Sequence, residues 1–270
     1  MSITLIVDGD VVAYGSCANR WGNSYTSLDG VVPEFTVEQD SVYLDECHAN
    51  FDKIIQQLKE TMFADTVRIA IKGDGNFRED IYPPYKAKRK TAVRPINQCV
   101  SLVRDHAEKQ HNAVRGHGME ADDLLHIWYH EEKALGNLPV IVSIDKDLLC
   151  IPGKHYRFPK GNLFENGSRD PSLIIEQSEW EAQKHYYKQI LMGDSTDGIP
   201  GLPKIGPKRA DAILAECKNE GELQYMTIYA YKEIIGEKWR DELMLTGQLI
   251  TIKPSFDYTF SIEGWKGNEH

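Results

Sequence analysis

The chain has 270 residues, a length that suits one large domain or one domain with an appended module. Its 41% hydrophobic and 27% charged residues are ordinary for a globular protein. No apolar run approaches the roughly 20 residues of a membrane helix or forms a secretory signal, so a cytoplasmic location is expected. The net charge of −10 excludes a uniformly basic surface for nucleic acid and leaves only local basic patches.

The five cysteines lie far apart, at positions 17, 47, 99, 150 and 217. None of these spacings is that of a Cys-x-x-Cys zinc pair, and the odd number argues against a disulfide framework. We expect reduced thiols, as in most cytoplasmic proteins.

The first half of the chain alternates apolar strands with helices. Three short runs lack period-two alternation, which is typical of strands covered on both faces: Ile3–Val7, Val67–Ile71 and Pro139–Ile144. Helices predicted at Ser41–Met62 and Glu120–Lys133 separate them. This order predicts an α/β fold with a doubly wound, mainly parallel sheet.

From about residue 170 the strand signal fades and helices dominate. Helices are predicted at Ser178–Met192, Pro207–Cys217 and Leu223–Thr246. Residues 16–35 and 159–171 are rich in Gly, Asn, Ser, Asp and Pro, and we predict that they are loops.

Acidic residues follow each predicted strand and flank two of the helices. The carboxyl ends of parallel strands meet at one edge of a sheet, so these side chains are expected to converge there. The acidic candidates are Asp8, Asp10, Asp74, Glu120, Asp122, Asp123, Asp145, Asp147, Asp194 and Asp197. Any single group has an ordinary explanation as a helix cap or a turn. Together, so many carboxylates need a cation, and oxygen ligands without His or Cys indicate Mg²⁺ or Mn²⁺.

Two basic segments contrast with these acids. Residues 86–94, with the sequence KAKRKTAVR, contain no acid and five cations: Lys86, Lys88, Arg89, Lys90 and Arg94. Taken alone, they are typical of a solvated helix face. The second segment combines glycine, proline and basic residues: Gly201, Lys204, Gly206, Pro207, Lys208 and Arg209. It predicts a helix-hairpin-helix whose backbone approaches a phosphate, with an ordinary turn between helices as the alternative.

In chain order, the sequence contains the motifs LIVDGD, FREDIYPPYKAKRK, EADD, SIDKDL and GDSTDGIPGLPKIGPKRA, which span residues 3–210. Their order and wording resemble the flap endonuclease and 5′-exonuclease family, which includes the nuclease domain of bacterial DNA polymerase I and the 5′-exonucleases of tailed phages. The wording YKAKRK is closer to the phage enzymes. The resemblance implies a PIN-like α/β nuclease domain at residues 1–185, with a helical arch at about 76–118. It also implies a helical DNA-binding region with the hairpin (H3TH) at residues 186–270.

The resemblance assigns roles to the acidic residues. It implies a first metal cluster of Asp8, Asp74, Glu120 and Asp122 and a second of Asp145, Asp147 and Asp197, with Asp123 and Asp194 acting directly or through water. Asp8, Asp122 and Asp145 are the ligands expected to matter most for catalysis, while Asp10 is not needed by the family pattern. Two Mg²⁺ ions, replaceable by Mn²⁺, are expected about 4 Å apart, where they clamp the attacking and leaving oxygens of a phosphodiester.

Roles for the basic residues follow from the same resemblance. Lys86 and Arg89 match arch cations that stabilise transition-state charge, and Tyr85 matches an aromatic residue that stacks on an unpaired terminal base. Predicted phosphate contacts are Arg78, Lys88, Lys90 and Arg94. The hairpin residues implied to bind DNA are Gly201, Lys204, Gly206, Lys208 and Arg209, with K⁺ held by hairpin carbonyls.

The implied function is that of a metal-dependent 5′-3′ exonuclease and 5′ flap endonuclease, in phage DNA replication, repair or primer removal. The expected partner is DNA with 5′ ends, flaps or branches, or an RNA–DNA hybrid. A monomer without membrane association, in the cytoplasm of the host cell, is expected. Two alternatives remain: a haloacid-dehalogenase-like phosphatase with Asp8 as nucleophile, and a catalytically silent structure-specific DNA-binding protein.

Overall fold

A computed structural model describes residues 1–21, 41–87, 95–158 and 173–267 of the chain. The strands are β1 Ile3–Asp8, β2 Thr66–Lys72, β3 Val114–Gly116, β4 Leu138–Val142, β5 Gly153–Arg157 and β6 Leu173–Gln177. The helices are α1 Gly9–Trp21, α2 Ser41–Thr61, α3 Phe77–Ile81, α4 Pro95–His111, α5 Ala121–Ala134, α6 Glu179–Met192, α7 Pro207–Ile213, α8 Glu220–Ile235 and α9 Trp239–Ile250. Among the helices described here, none combines the length and the apolar character that crossing a membrane requires.

The strands form one sheet in the order β3-β2-β1-β4-β5-β6. The pairs β3–β2, β2–β1, β1–β4 and β4–β5 are parallel. In this register Val7 of β1 lies between Ile69 of β2 and Val142 of β4. The predicted doubly wound, mainly parallel sheet is confirmed. Strands β1 and β4 are neighbours where the chain order reverses, which is the usual ligand position in such sheets.

Helices explain why the central strands are apolar along their whole length. Leu5 and Val7 of β1 are fully buried in a core that includes Phe51 of α2 and Val103 of α4. Ile6, which alternation places on the opposite face, is also fully buried. Helix α5 packs against β1 and β4. Strands buried on both faces show continuous apolar runs, the pattern from which they were predicted.

The chain divides into two compact units. The first unit contains the sheet and consists of Met1–Gly75, Ala92–Ile144 and Lys154–Glu176. The second unit consists of Asn76–Thr91, Asp145–Gly153 and Gln177–His270. These two units do not coincide with the predicted domains, which divide after residue 185. Residues 76–91 and 145–153 belong to the same unit as the C-terminal helices. Of the segment predicted as an arch, helix α4 and strand β3 belong to the sheet-containing unit.

The second unit has its own core, to which α6, α7, α8 and α9 contribute. Its buried apolar residues include Leu191, Leu223 and Leu243. Arg78 of α3 is only 2% exposed, and it donates to the carbonyl oxygen of Leu249 at 2.9 Å and to that of Thr251 at 2.6 Å. These bonds satisfy carbonyl groups at the end of α9. The phosphate contact predicted for Arg78 is therefore wrong.

Several predicted elements differ from the structure. Helix α1 extends to Trp21, so the loop predicted from residue 16 is wrong for residues 16–21. The helix predicted at Leu223–Thr246 is two helices, because the chain leaves α8 at Gly236 with a φ of +72°. The helix predicted to reach Cys217 ends at Ile213. Strands β3, β5 and β6 were not predicted, and the loop predicted at residues 159–171 lies outside the described residues.

Helix α6 also bears on the phosphatase alternative. In that family the last metal motif, which Gly193–Asp197 would imitate, follows a strand, whereas here these residues follow the helix Glu179–Met192. The phosphatase alternative is therefore not favoured.

Candidate active site

Asp8 lies at the carboxyl end of β1, where the strand runs directly into α1. Its side chain is largely buried, with the residue 6% exposed. Oδ2 accepts a hydrogen bond from Ser143 Oγ at 2.7 Å, and Oδ1 accepts one from the backbone N–H of Val11 at 3.3 Å. Ser143 immediately follows β4 and is buried as well. The β1–β4 position of the sheet therefore holds Asp8 in a fixed orientation.

Gly73 allows the loop after β2 to approach the end of β3. A Cβ atom on Gly73 would lie 2.3 Å from the carbonyl oxygen of Gly116, too close for any other residue type. The N–H of Gly118 donates to the carbonyl oxygen of Asp74 at 2.9 Å. The structure thereby places the predicted ligands Asp74 and Glu120 on neighbouring loops.

Glu120 is the N-cap residue of α5. Asp123 Oδ2 accepts a hydrogen bond from the backbone N–H of Glu120 at 3.0 Å, and Asp123 is fully buried. Asp123 therefore caps the helix, a function that acidic residues commonly serve in the first turn. Asp122 is half-buried one residue earlier. The metal contacts assigned to these three residues stay predictions.

Asp10 has a structural role in the first unit. Its Oδ1 accepts hydrogen bonds from the backbone N–H of Lys72 at 3.1 Å and from Arg104 Nε at 2.8 Å. These contacts connect α1 to the end of β2 and to α4. This agrees with leaving Asp10 outside the predicted ligand set.

Asp145 and Asp147 lie in the second unit. Asp145 precedes a short 3-10 turn, and Asp147 is its first residue. Asp145 Oδ1 accepts from the backbone N–H of Asp147 at 2.9 Å, and Asp147 Oδ1 accepts from Gln189 Nε2 at 2.8 Å. Burial, with the neighbouring charges of Asp145 and Asp194, raises the pKa of Asp147 to about 6. A carboxylate whose pKa is raised by burial and by neighbouring negative charges is stabilised in its ionised form when a cation binds beside it.

Asp194 and Asp197 form the turn that follows α6. Asp194 Oδ1 accepts from the backbone N–H of Thr196 at 2.7 Å and from that of Asp197 at 3.3 Å. Lys86 contacts the same turn: its N–H donates to the carbonyl oxygen of Asp197 at 2.8 Å, and its Nζ lies 3.5 Å from Asp197 Oδ2. Lys86 has a φ of +51°, which lysine rarely adopts. A predicted catalytic cation is therefore held against a predicted metal ligand.

The candidate donors fit Mg²⁺ or Mn²⁺ because they are all carboxylate oxygens. Within either unit, and among the described residues, no three of these acids bring their ligand atoms within 4.8 Å of one another. The first unit offers Asp8, Asp74, Glu120 and Asp122, and the second offers Asp145, Asp147, Asp194 and Asp197.

The predicted arch residues have different outcomes. Tyr85 is 2% exposed in the core of the second unit, and Lys86 Nζ lies 5.0 Å from its ring centroid. The stacking of Tyr85 on a terminal base, which requires an exposed ring, is not supported by this conformation. The remaining arch candidates, Lys88, Arg89, Lys90 and Arg94, lie outside the described residues.

The glycines of the predicted hairpin have separate roles. A Cβ on Gly201 would lie 2.1 Å from the carbonyl oxygen of Met192, so this glycine allows two backbone segments to cross. Gly206 precedes α7 as its N-cap and has no atom within 4 Å of the position of an added Cβ. Gly206 therefore leaves open space, and its phosphate contact stays a prediction, whereas Gly201 serves internal packing. Lys204 is exposed with a φ of +64° and its carbonyl oxygen accepts from Arg209 Nη1 at 3.0 Å.

Two residues that contact the predicted ligands were missed by sequence reasoning. Ser143 was assigned to the interior of a strand, although a polar residue at the end of an apolar run could have drawn attention to it. Gln189 carries no such signal, because a single glutamine in an amphipathic helix is ordinary. Its contact with Asp147 depends on how α6 packs against the 3-10 turn at Asp147–Cys150.

The profile described as 5′-3′ exonuclease, N-terminal resolvase-like domain, matches residues 24–178. DNA polymerase I of Rhizobium leguminosarum is 32% identical over 146 residues, covering 52% of this chain and 14% of that protein. Flap endonuclease Xni of Shewanella baltica is 30% identical over 150 residues, covering 54% of this chain and 56% of that protein. The chain thus spans less than two thirds of the length of these relatives.

Solved structures agree in fold. A structure of T5 5′-exonuclease with divalent metal ions (zinc) bound has a TM-score of 0.58 and 17% identity, and covers 92% of this chain and 95% of that one. A T5 flap endonuclease in complex with DNA and metal ions has a TM-score of 0.55 and 17% identity, and covers 92% and 94% of the two chains. Similarity at this identity concerns the fold. Because the profile match covers more than half of the sequence, the chain belongs to the 5′-3′ exonuclease family.

Proposed function

We propose that the chain is a divalent-metal-dependent 5′-3′ exonuclease and flap endonuclease that hydrolyses DNA phosphodiesters. The observation that carries the proposal is the group of carboxylates around Asp147, with Lys86 held 3.5 Å from Asp197. Oxygen ligands for a hard cation beside a lysine suit a metal-bound phosphate group. All nine predicted ligands are present in the sequence, so a catalytically silent protein is not favoured.

The proposed ligand sets are those of the two units. Asp8, Asp74, Glu120 and Asp122, all in the first unit, hold one Mg²⁺ ion, and Asp145, Asp147 and Asp197, all in the second, hold the other; Asp123 and Asp194 act directly or through water. When bound, the ions supply hydroxide near neutral pH and stabilise negative charge on the phosphate, as in two-metal hydrolysis. Ser143 and Gln189 keep Asp8 and Asp147 oriented toward their ions.

Lys86 has a distinct part in the proposal. Its backbone and side chain are both anchored on Asp197, so its ammonium group is positioned before substrate arrives. A preorganised cation costs little reorganisation when negative charge develops on the phosphate. Lys86 therefore attracts the phosphate and stabilises the transition state, with Arg89 proposed to assist.

The hairpin at residues 199–210 is proposed to hold duplex DNA by its backbone. Gly206 leaves room for a phosphate, and Lys204 and Lys208 are exposed cations beside it. Contacts of this kind are independent of base sequence. Arg209 braces the hairpin through the carbonyl of Lys204, and K⁺ bound by hairpin carbonyls is part of the proposal.

The proposed substrates are DNA molecules with 5′ ends, flaps or branches, with RNA–DNA hybrids as a further class. The T5 flap endonuclease, solved in complex with DNA and metal ions, supports DNA as the substrate. We further propose that the chain acts as a monomer in phage DNA replication, repair or primer removal.

The proposal is tested with a 5′-labelled flap substrate under single-turnover conditions, with Mg²⁺ and with a chelator. Wild-type protein should cleave in Mg²⁺ only. Asp145→Asn and Asp8→Asn should abolish cleavage and keep flap binding in Ca²⁺, whereas Asp241→Asn, an exposed residue of α9, should behave as wild type. Metal-independent cleavage, or near-normal turnover of either ligand variant, would contradict the proposal.

A further inference from the structure

Helices α2 and α4 of the first unit bring two histidines onto one carboxylate. Asp52 of α2 is within hydrogen-bond distance of His106 and His111 of α4. Its Oδ1 lies 2.7 Å from His106 Nε2 and 2.6 Å from His111 Nε2. The three side chains each place a ligand atom within 4.8 Å of the others. The side chain of Asp52 is 47% exposed and the two imidazoles 15% and 22%, so the group opens to solvent.

Aromatic neighbours fix the orientation of both imidazoles. The ring of His48, one turn before Asp52 on α2, stacks on His106 with centroids 4.2 Å apart and an interplanar angle of 7°. Phe51 contacts His111, with ring centroids 5.4 Å apart. Ligand side chains held by packing lose little freedom when an ion binds.

We propose that Asp52, His106 and His111 bind one divalent transition-metal ion of the Zn²⁺ type. Two imidazole nitrogens and one carboxylate oxygen suit Zn²⁺ and its neighbours, whereas Mg²⁺ prefers oxygen alone. With neutral imidazoles and one carboxylate, the bound site has a net charge of about +1. Water can solvate this charge because the site is exposed. The site shares no residue with the carboxylate sets proposed for Mg²⁺, and it does not depend on the nuclease proposal.

The geometry requires only a small movement. A tetrahedral Zn²⁺ about 2.0–2.2 Å from each ligand atom keeps those atoms about 3.4 Å apart. The two N···O distances of 2.7 Å and 2.6 Å must therefore lengthen by about 0.7 Å. Rotation of the half-exposed Asp52 side chain supplies this movement, while water completes the coordination. The bound ion then links α2 to the C-terminal end of α4.

The test is equilibrium dialysis of the whole chain against Zn²⁺ in millimolar Mg²⁺, which competes with Zn²⁺ for oxygen-only sites. Wild-type protein should bind one more equivalent of Zn²⁺ than the Asp52→Asn variant or the His106→Gln/His111→Gln double variant. The matched control is His126→Gln/His130→Gln, which removes another pair of neighbouring imidazoles, 3.1 Å apart, and should retain the extra equivalent. Zn²⁺ should also raise the thermal midpoint of wild type and not that of the Asp52→Asn variant.

Co²⁺ provides a second measurement that needs no variant. In excess Mg²⁺, the wild type should show the visible absorption of Co²⁺ bound to nitrogen ligands in a site of low symmetry, and Zn²⁺ should remove it. Equal Zn²⁺ stoichiometry in the wild type and the Asp52→Asn variant would overturn the proposal. So would the absence of the Co²⁺ absorption. Either result would leave the three residues as a hydrogen-bonded group only.

Discussion

Ser143 Oγ donates a 2.7 Å hydrogen bond to Asp8 Oδ2, joining the ends of strands β1 and β4. Both residues are buried, at 4% and 6% exposure, so water does not replace this bond easily. One oxygen of the carboxylate is thereby fixed, and the other is held over the N-terminus of α1 by the N–H of Val11. If Asp8 is a metal ligand, Ser143 determines its orientation.

Ser143→Ala should therefore lower single-turnover flap cleavage about 10–100-fold, the usual effect of removing a residue that orients a metal ligand. The Mg²⁺ concentration for half-maximal activity should rise as well, and the loss should be partly restored at high Mg²⁺. Ser101→Ala, at an exposed position of α4, is the control. Unchanged Mg²⁺ dependence in Ser143→Ala would show that the hydrogen bond serves folding alone.

Lys86→Ala should lower single-turnover cleavage by about 10²–10³-fold, as expected for one preorganised donor to the transition state. Binding in Ca²⁺ should change much less, since the neighbouring basic residues remain. Because φ is +51° at this position, Lys86→Gly is the informative partner variant: it removes the charge without straining the backbone. A loss in Lys86→Ala that Lys86→Gly does not share would assign the effect to the backbone. Arg89→Ala should resemble Lys86→Ala, and Lys90→Ala should mainly weaken binding.

Lys204→Gly combined with Lys208→Ala should weaken duplex binding equally for unrelated sequences. It should also flatten the salt dependence of binding, with each lost phosphate contact lowering the slope by about one. Glycine suits position 204 because φ is +64° there, so the fold is preserved. Fluorescence anisotropy at several salt concentrations measures the slope. A loss restricted to one DNA sequence would contradict a role in backbone binding.

Glu132→Gln should reduce the free energy of unfolding by about 1–3 kcal/mol at pH 7, because an uncharged amide replaces a buried carboxylate and weakens the hydrogen bonds that the carboxylate accepts. Glu132 is 6% exposed and accepts from Thr4 Oγ1 at 2.9 Å, Asn137 Nδ2 at 2.8 Å and Arg68 Nη1 at 3.1 Å. Glu131→Gln is the matched control, since its exposed pair with Arg68 should contribute less than about 1 kcal/mol.

The same carboxylate makes a prediction about pH. Burial alone raises the pKa of Glu132, but the hydrogen bonds from Asn137, Thr4 and Arg68 outweigh it and leave the pKa below 4.5. Its stabilising effect is therefore complete above the unfolded-state pKa and is lost as the pH falls through the lower folded-state value. Urea unfolding of wild type and Glu132→Gln should show a difference that shrinks below about pH 4.5. A constant difference down to pH 3 would contradict this origin.

Local patterns predicted the elements that local physics determines. The runs at residues 3–7, 67–71 and 139–144 correspond to β1, β2 and β4, because strands buried on both faces must be apolar throughout. Strand β3 has three residues, too few for a periodicity. Strand β5, GKHYR, is mostly polar and therefore gave no hydrophobic strand signal. Gly236 ended α8 where composition alone suggested a continuous helix.

The sequence by itself determined the fold class, the acidic candidates and the family, since strand hydrophobicity and motif order are written along the chain. Only the tertiary structure decided which side chains meet. Burial of Tyr85 and Arg78, the bond from Ser143 to Asp8, and the meeting of Asp52 with His106 and His111 join residues distant in sequence. Cys17 and Cys99 are far apart in the sequence, yet their sulfur atoms lie 3.2 Å from each other in the core. Such contacts depend on how helices pack on the sheet, and packing is set by the summed burial of many residues rather than by any local spacing.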